Sequence, residues 1–192
     1  MDFSKIKSSL VQITKEMIPV ILGILIALWF NNWQKNKEDK IFVSHVFQSI
    51  QKEHAENIEE LQKIIPLHER FGDSIVYYIE DDNVILGQLI QIVGGLKIVF
   101  IGNTSWKSFI GNDIRLLDYQ IVKYLSLIDE QKNLYQRQTH LLSDFMLEKI
   151  YSKKDLDKSI FLGLLNDLLS TEKDLLKDHL ELQELFKVID GK

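Results

Sequence analysis

The sequence predicts an all-α protein in which one N-terminal transmembrane helix continues into a long helix of an antiparallel helical bundle. Only 9 of the 192 residues are glycine and 2 are proline, which is too few for a loop-rich all-β fold. Apolar residues recur every three or four positions over most of the chain, and this spacing places them on one helix face. With 45% hydrophobic and 27% charged residues, the chain is neither a disordered protein nor a polytopic membrane protein.

Residues 1–15 predict a basic amphipathic segment. One apolar helical stripe is formed by Phe3, Ile6, Leu10, Ile13 and Met17. Three lysines, Lys5, Lys7 and Lys15, lie largely off that stripe, which suits a helix on an anionic membrane surface. The alternative is a frayed terminus in which the spacing arose by chance.

Residues 16–34 predict the transmembrane helix. The run Met17–Phe30 contains no charged or amide side chain, and extending it to Trp33 gives 17 residues, about 25 Å of helix. This length is at the short edge for crossing a bilayer, so a buried core helix and a cleaved leader are the alternatives. The segment is apolar on every face, and no small-x-small cleavage site follows it, which favours an uncleaved span.

Both ends of this segment carry residues suited to the membrane interface. Trp29 and Trp33 lie at one end, where indole rings favour the headgroup layer. Lys15 precedes the run and Lys35 follows it, and both side chains are long enough to reach the headgroups. We therefore predict these four residues as membrane-interface anchors.

One face of the same helix predicts self-association. Gly23 and Ala27 form a small-x-x-x-small pair, and Asn31 follows on the same face. Small residues let two helices approach closely in lipid, and the asparagine amide can hydrogen-bond across a dimer. The alternative is that glycine and alanine are simply common in membrane helices.

Residues 35–192 predict the soluble helical bundle domain. The membrane helix is expected to run on to about Ile65, because neither glycine nor proline occurs between Trp33 and Pro66. Two shorter helices are expected over 67–80 and 84–93, and two long ones over 114–145 and 156–189. Asn103 and Thr104 are expected to cap a short helix that lies between the two shorter and the two long helices. Residues 96–101 are β-branched and lie between glycines, but a single strand has no visible partner.

The N-terminal run resembles a known signature. Glu16 precedes the apolar run, which then reads Gly23-Ile-Leu-Ile-Ala27-Leu and ends in Asn31-Asn32-Trp33. This pattern resembles the signature of an uncharacterised family of small bacterial single-span membrane proteins. Residues 103–106 and 111–117 are similar to that family's middle region, whereas Trp29 and Pro19 depart from its pattern. The resemblance implies a membrane anchor with a helical domain, and it implies no activity and no functional residues.

The expected membrane and orientation of the protein follow from that resemblance and from the charged residues on either side of the apolar run. Residues 1–16 and 34–48 each contain three lysines, so the positive-inside rule does not decide the orientation. The short N-terminal arm also carries the α-amino group, which favours a cytoplasmic N-terminus. We therefore expect a single-pass protein of the bacterial inner membrane, with the C-terminal domain on the periplasmic side.

Few features of the sequence point to chemistry. The absence of cysteine excludes disulfides, thiolate metal sites and cysteine nucleophiles. The net charge of −5 gives no basis for expecting nucleic acid as a partner. Glu-x-x-His pairs of a di-metal bundle are absent, and His54 and its neighbours Glu53 and Glu56 point to different helix faces. No phosphate loop, dinucleotide fingerprint or nucleophile elbow occurs, so we expect no catalytic residue, metal or cofactor.

These observations favour a non-enzymatic accessory or scaffold protein that acts by protein contact at the cell envelope. Its expected partners are the lipid bilayer, a second copy bound through the membrane helix, and an unidentified envelope protein. The alternative is a single-span sensor or signalling stalk with a ligand-binding helical domain. A polar cavity between the helices would favour the sensor, and an exposed apolar surface would favour the scaffold.

Overall fold

The structure is a computed structural model that describes residues 3–81, 83–110, 114 and 117–190, with side chains for those between 17 and 188. Its helices are α1 (Phe3–Tyr77), α2 (Leu86–Ile92), α3 (Thr104–Ile110), α4 (Tyr119–Lys149) and α5 (Asp155–Asp190). The all-α prediction is therefore confirmed. The chain forms two compact units, Met1–His45 and Val46–Lys192, while the predicted boundaries at residues 15 and 34 stay predictions.

Helix α1 continues past the position where the sequence led us to expect its end. It ends at Tyr77 rather than near Ile65, so Pro66 lies inside a helix. A proline there removes one backbone hydrogen bond and costs about 3 kcal/mol in a helix interior. Leu61, Ile64 and Phe71 lie on either side of it with at most 2% of their surface exposed. Burial of these side chains offsets that cost, since each contributes about 1.5–3 kcal/mol.

The second unit is an antiparallel bundle. The rings of Phe47 and Phe186 lie 4.9 Å apart and those of Phe71 and Phe161 lie 5.6 Å apart, so α1 and α5 run in opposite directions. The Tyr124 hydroxyl donates to Glu181, while Phe145 packs near Phe161, which makes α4 antiparallel to α5 as well. Helices α1 and α4 therefore run in the same direction, opposite to that of α5.

The core of the bundle is formed by one apolar stripe from each long helix, together with side chains from α2 and α3. Its most deeply buried large members are Leu61, Ile75, Leu86, Leu89, Phe109, Leu142, Phe161, Leu165, Leu168, Leu175 and Leu182. The stripes meet because their residues recur at helical spacing. This core fixes the positions of the buried polar side chains described below.

Residues 95–103 connect α2 to α3 and form neither a helix nor a paired strand. Gly94 and Gly95 have positive φ angles of 84° and 94°, and the Gly95 N–H donates to the Ile90 carbonyl at the end of α2. Only glycine adopts this backbone at low cost. The turn directs the chain along α1 and α4, and we call residues 96–103 the connecting segment.

Candidate functional site

The predicted membrane segment is exposed along its whole length. Its large apolar side chains from Met17 to Trp33 keep between 48% and 67% of their surface accessible. A Cβ added at Gly23 would meet no atom within 4 Å, and Ala27 and Asn31 are exposed. The face predicted to self-associate is thus unobstructed by the described residues of this chain.

The predicted interface anchors whose side chains are described, Trp29, Trp33 and Lys35, are all exposed. Trp29 and Trp33 are 67% and 51% exposed, and the Trp33 ring lies 5.9 Å from that of Phe30. The Lys37 ammonium stands 5.8 Å from the Trp33 ring, a cation–π distance. Lys35 is exposed, whereas the side chain of Lys15 lies outside the described residues.

Helix α1 is long enough and apolar enough to cross a membrane, and none of its most apolar 18-residue window is buried. This exposure disfavours the core-helix alternative, because a core helix buries its apolar side chains against the rest of the protein. Length and composition fit both a membrane span and a signal sequence.

Buried polar side chains hold the connecting segment against the bundle. The Asn57 side-chain amide donates to the Gly102 carbonyl and accepts from the Gly102 N–H, both at 2.8 Å. The Tyr135 hydroxyl bonds both the N–H and the carbonyl of Val99 at 3.2 Å. Burial raises the pKa of this tyrosine to about 12, so it stays a neutral donor.

The most deeply buried ion pair joins α1 to α5 beneath this segment. His68 Nδ1 lies 2.9 Å from Glu172 Oε2, and His68 Nε2 lies 2.8 Å from the Lys97 carbonyl. Both ring nitrogens of His68 face an acceptor. Only the imidazolium form, which carries a proton on each nitrogen, donates a hydrogen bond to both acceptors. Burial disfavours that charge, but the hydrogen bond and the charge of Glu172 outweigh burial and raise the pKa of His68.

A side chain of another helix bonds the start of α3. The Glu53 carboxylate of α1 accepts from the N–H groups of Thr104 and Ser105 at 2.8 and 3.1 Å. A Cβ at Gly102 would lie only 2.9 Å from Glu53, so glycine leaves room for this carboxylate. Asn103 instead accepts from the buried Lys132 ammonium at 2.5 Å and donates to Asp129. Asn103 nevertheless occupies the predicted N-cap position, since its carbonyl accepts from the Lys107 N–H in the first turn of α3.

A pair of buried histidines, His54 of α1 and His179 of α5, joins the same two helices at a second point. The Nδ1 atoms of His54 and His179 lie 2.6 Å apart, so one ring donates to the other and at most one carries a proton there. His54 also packs edge-on against Phe186. Burial, together with the positive charge that His179 would carry, lowers the pKa of His54 to about 2, and burial lowers that of His179 to about 4.

This pair predicts that the bundle loses stability in acid. The unfolded state binds protons at the ordinary histidine pKa near 6.5, whereas the folded state binds them only near 4 and below. Stability is therefore complete above about pH 6.5 and falls as the pH drops to about 4, by about 3 kcal/mol for each histidine. Urea titrations of the full chain in mild detergent measure this decline.

A double variant serves as the control for that pH dependence. Replacing both His54 and His179 with leucine removes the groups that titrate, so the decline between pH 6.5 and 4 should become much shallower. An unchanged slope in the double variant would show that carboxylates cause the acid sensitivity.

The clefts among the described residues of the bundle include the following three. One of about 180 Å³ lies between α1 and α5, lined by Gln51, His54, Ala55, Gln183, Phe186 and Lys187. A second of about 210 Å³ lies between residues 98–101 and α4. A third of about 420 Å³ lies at the turn after α1, from Tyr78 to Ile92. The first two are smaller than most small-molecule sites, which occupy about 300–1,000 Å³.

Within the described residues, no group of three or more histidine, aspartate or glutamate side chains could hold a metal ion. The sequence analysis did not predict the His54–His179 and His68–Glu172 contacts, because the two partners of each contact lie over 100 positions apart along the chain. Comparisons with models of known protein families, with curated proteins and with solved structures find no match for this chain.

Proposed function

We propose that this chain is a single-span membrane-anchored protein whose helical bundle acts by contact with other proteins, as a non-enzymatic accessory or scaffold protein. The observation that carries the proposal is the exposure of every large apolar side chain between Met17 and Trp33. Soluble proteins rarely expose a contiguous apolar surface of this kind, and it marks a membrane or protein contact. Membership of the single-span family suggested by residues 16–33 is part of the same proposal.

The polar groups of the bundle support a structural role over a catalytic one. His68, Glu172 and Tyr135 are at most 2% exposed, and each is engaged with another helix or with the connecting segment. An active site requires titratable groups that converge on a space open to substrate. The buried groups described here instead bond one another or backbone atoms of the same chain.

The sensor alternative requires a ligand cavity between the helices. The cleft between α1 and α5 is lined by polar side chains, but its volume of about 180 Å³ is below the range for most small-molecule sites. The cleft of about 420 Å³ reaches that range, but it lies at the turn after α1 and not between the long helices, so the scaffold is favoured. For the location, we propose the bacterial inner membrane, with the N-terminus in the cytoplasm and the bundle in the periplasm.

Membrane association tests the proposal. The full chain should sediment with membranes from a detergent-free lysate and resist extraction by alkaline carbonate, because about 17 apolar residues partition into lipid. A variant with Leu22, Leu25 and Ile26 each replaced by lysine should move to the soluble fraction, since each central lysine costs about 2.5–3.5 kcal/mol. Recovery of the folded, uncleaved chain in the supernatant would overturn the anchor.

A further inference from the structure

We propose that the outer groove between α4 and α5 binds an amphipathic helix of a partner protein, which lays its apolar face on α4 and its lysine or arginine side chains along α5. We call this surface the α4–α5 groove. A row of leucines borders it on α4 and a row of carboxylates borders it on α5: Leu127, Leu134 and Leu141, and Asp167, Asp174 and Glu181. The inference rests on the proposed role in protein contact and supplies the chemistry of the partner.

The α4 border of this groove is an uncovered apolar row. Leu127, Leu134 and Leu141 are 38%, 39% and 56% exposed, and their spacing of seven residues places them along one line of the helix. Each of them directly precedes a buried residue of the core, so the row lies about 100° around the helix from the core. An apolar row left open in this way marks a contact with another molecule.

The leucine row lies on the side of α4 that faces α5. The Tyr124 hydroxyl donates to Glu181 of α5 at 3.1 Å, and Gln131 hydrogen-bonds Asp178 of α5. Leu127 comes three positions after Tyr124 and four before Gln131, so it is a neighbour of both on the helix surface. The leucines therefore stand beside the seam between α4 and α5.

The α5 border is a row of carboxylates. Asp167, Asp174 and Glu181 are exposed, recur every seven residues, and each directly precedes a buried leucine of the core. The contact of Glu181 with Tyr124 places this row on the side of α5 that faces α4. The carboxylates of Asp167 and Asp174 form no ion pair with any residue that the structure describes. They are therefore available to cations of a partner.

The carboxylates of this row act on one another. Asp178 lies between Asp174 and Glu181 along the helix and is 8% exposed. Burial raises the pKa of Asp178 and the charges of Glu181 and Asp174 raise it further, against a hydrogen bond from Gln131 and the charge of Lys177. Because like charges are held close together here, a partner that brings positive charge to this border is favoured over one that brings negative charge.

An amphipathic helix fits both borders of the groove. The leucine row covers residues 127–141, about 21 Å of helix, and leucines at this spacing receive the side chains that a second helix presents every three or four residues. Lys123 and Arg137 lie beyond the leucine row on α4, so the positive side chains of the bound helix belong over α5. A second copy packed groove to groove would bring like carboxylates together, and an anionic membrane surface would be repelled by them.

Two designed peptides test the chemistry of the partner. Each is a helix of about 18 residues with leucine along one face, and one peptide carries lysine beside that face where the other carries glutamate. The full chain in phosphatidylcholine nanodiscs should bind the fluorescein-labelled lysine peptide about fivefold more tightly than the glutamate peptide in fluorescence anisotropy, with empty nanodiscs as the blank. Equal affinities at low salt, or binding of neither peptide, would overturn the proposal.

Substitutions in the chain locate the binding surface. Leu134→Ser should weaken binding of the lysine peptide about tenfold, whereas Leu147→Ser should leave the affinity unchanged. Leu147 is 66% exposed and lies six residues after Leu141, about 120° away around α4. If Leu147→Ser weakens binding as much as Leu134→Ser at unchanged helix content, the peptide does not bind in the groove.

A charge reversal tests the α5 border. The double variant Asp167→Lys with Asp174→Lys should bind the glutamate peptide more tightly than the lysine peptide, and this reversed preference also shows that the variant is folded. A double variant with unchanged helix content that still prefers the lysine peptide would show that the carboxylate row does not select the partner.

These results separate the groove from the membrane anchor. A chain that sediments with membranes but binds neither peptide overturns the groove and leaves the anchor intact. A chain that stays in the supernatant but prefers the lysine peptide overturns the anchor alone. A dimer that Leu134→Ser abolishes in sedimentation equilibrium, in a chain that binds neither peptide, would make a second copy the occupant and the proposal wrong.

Discussion

Replacing His68 with leucine is expected to destabilise the bundle by about 3–5 kcal/mol, because it leaves the Glu172 carboxylate buried without its partner. Glu172 is fully buried, and its Oε2 lies 2.9 Å from His68 Nδ1. Its Oε1 makes no hydrogen bond to any described residue, so the imidazole is the main compensation for its charge. Since domains unfold at a cost of about 5–15 kcal/mol, this one substitution removes a large share of the stability.

The double variant His68→Leu with Glu172→Leu is the matched control. It removes both charges and fills the site with apolar atoms, and such replacements are often neutral or stabilising. The double variant should therefore unfold at a clearly higher urea concentration than the single variant. If the single variant is as stable as the double variant, the ion pair does not compensate Glu172.

The pH dependence of this pair is opposite in sign to that of the His54–His179 pair. Glu172 raises the pKa of His68, so the stability from this pair is complete below the unfolded pKa near 6.5. It is lost as the pH rises through the higher folded value. The two histidine pairs together place the stability maximum near pH 6.5, and His68→Leu should flatten the alkaline side only.

Replacing Lys158 with methionine is the second substitution expected to have a large effect, about 1.5–3 kcal/mol. The Lys158 side chain is fully buried, and its ammonium donates to the carbonyls of Tyr78, Ile79 and Asp81 at 3.1, 3.2 and 2.8 Å. These carbonyls follow the end of α1, where a helix leaves acceptors unpaired and favours positive charge. Methionine keeps the apolar stem but removes the charged donor that all three carbonyls share. The carbonyls of Tyr78 and Asp81 still accept from the N–H groups of Asp81 and Val84, so the cost of a lost donor, about 1–3 kcal/mol for a buried acceptor, applies to the Ile79 carbonyl.

An exposed lysine nearby provides the control for this substitution. Lys154→Met changes a side chain that lies in solvent just before α5, so its effect should stay within about 0.5 kcal/mol. Hydrogen exchange should show the loss of protection in Lys158→Met to be greatest around residues 74–81. Equal urea midpoints for the two variants would contradict a capping role for Lys158.

Much of the architecture of this protein could be predicted from local sequence patterns. The apolar spacing identified α4 and α5 and the membrane-length segment of α1, because helical periodicity is a property of neighbours three and four positions apart. The extent of α1 was not readable, because Pro66 is locally unfavourable for a helix. The burial of Leu61, Ile64 and Phe71 in the bundle is a tertiary effect that outweighs the local preference.

The sequence alone determined the helical class and the location of the apolar segment, since both depend on composition and short-range periodicity. Only the tertiary structure paired His68 with Glu172 and His54 with His179, and only it brought Tyr135 to the backbone of Val99. The partners in these contacts lie between 36 and 125 positions apart. The physical reason is that burial makes an unpaired polar group costly, so partners are chosen by proximity in the packed core. Proximity there is set by how the helices align against one another.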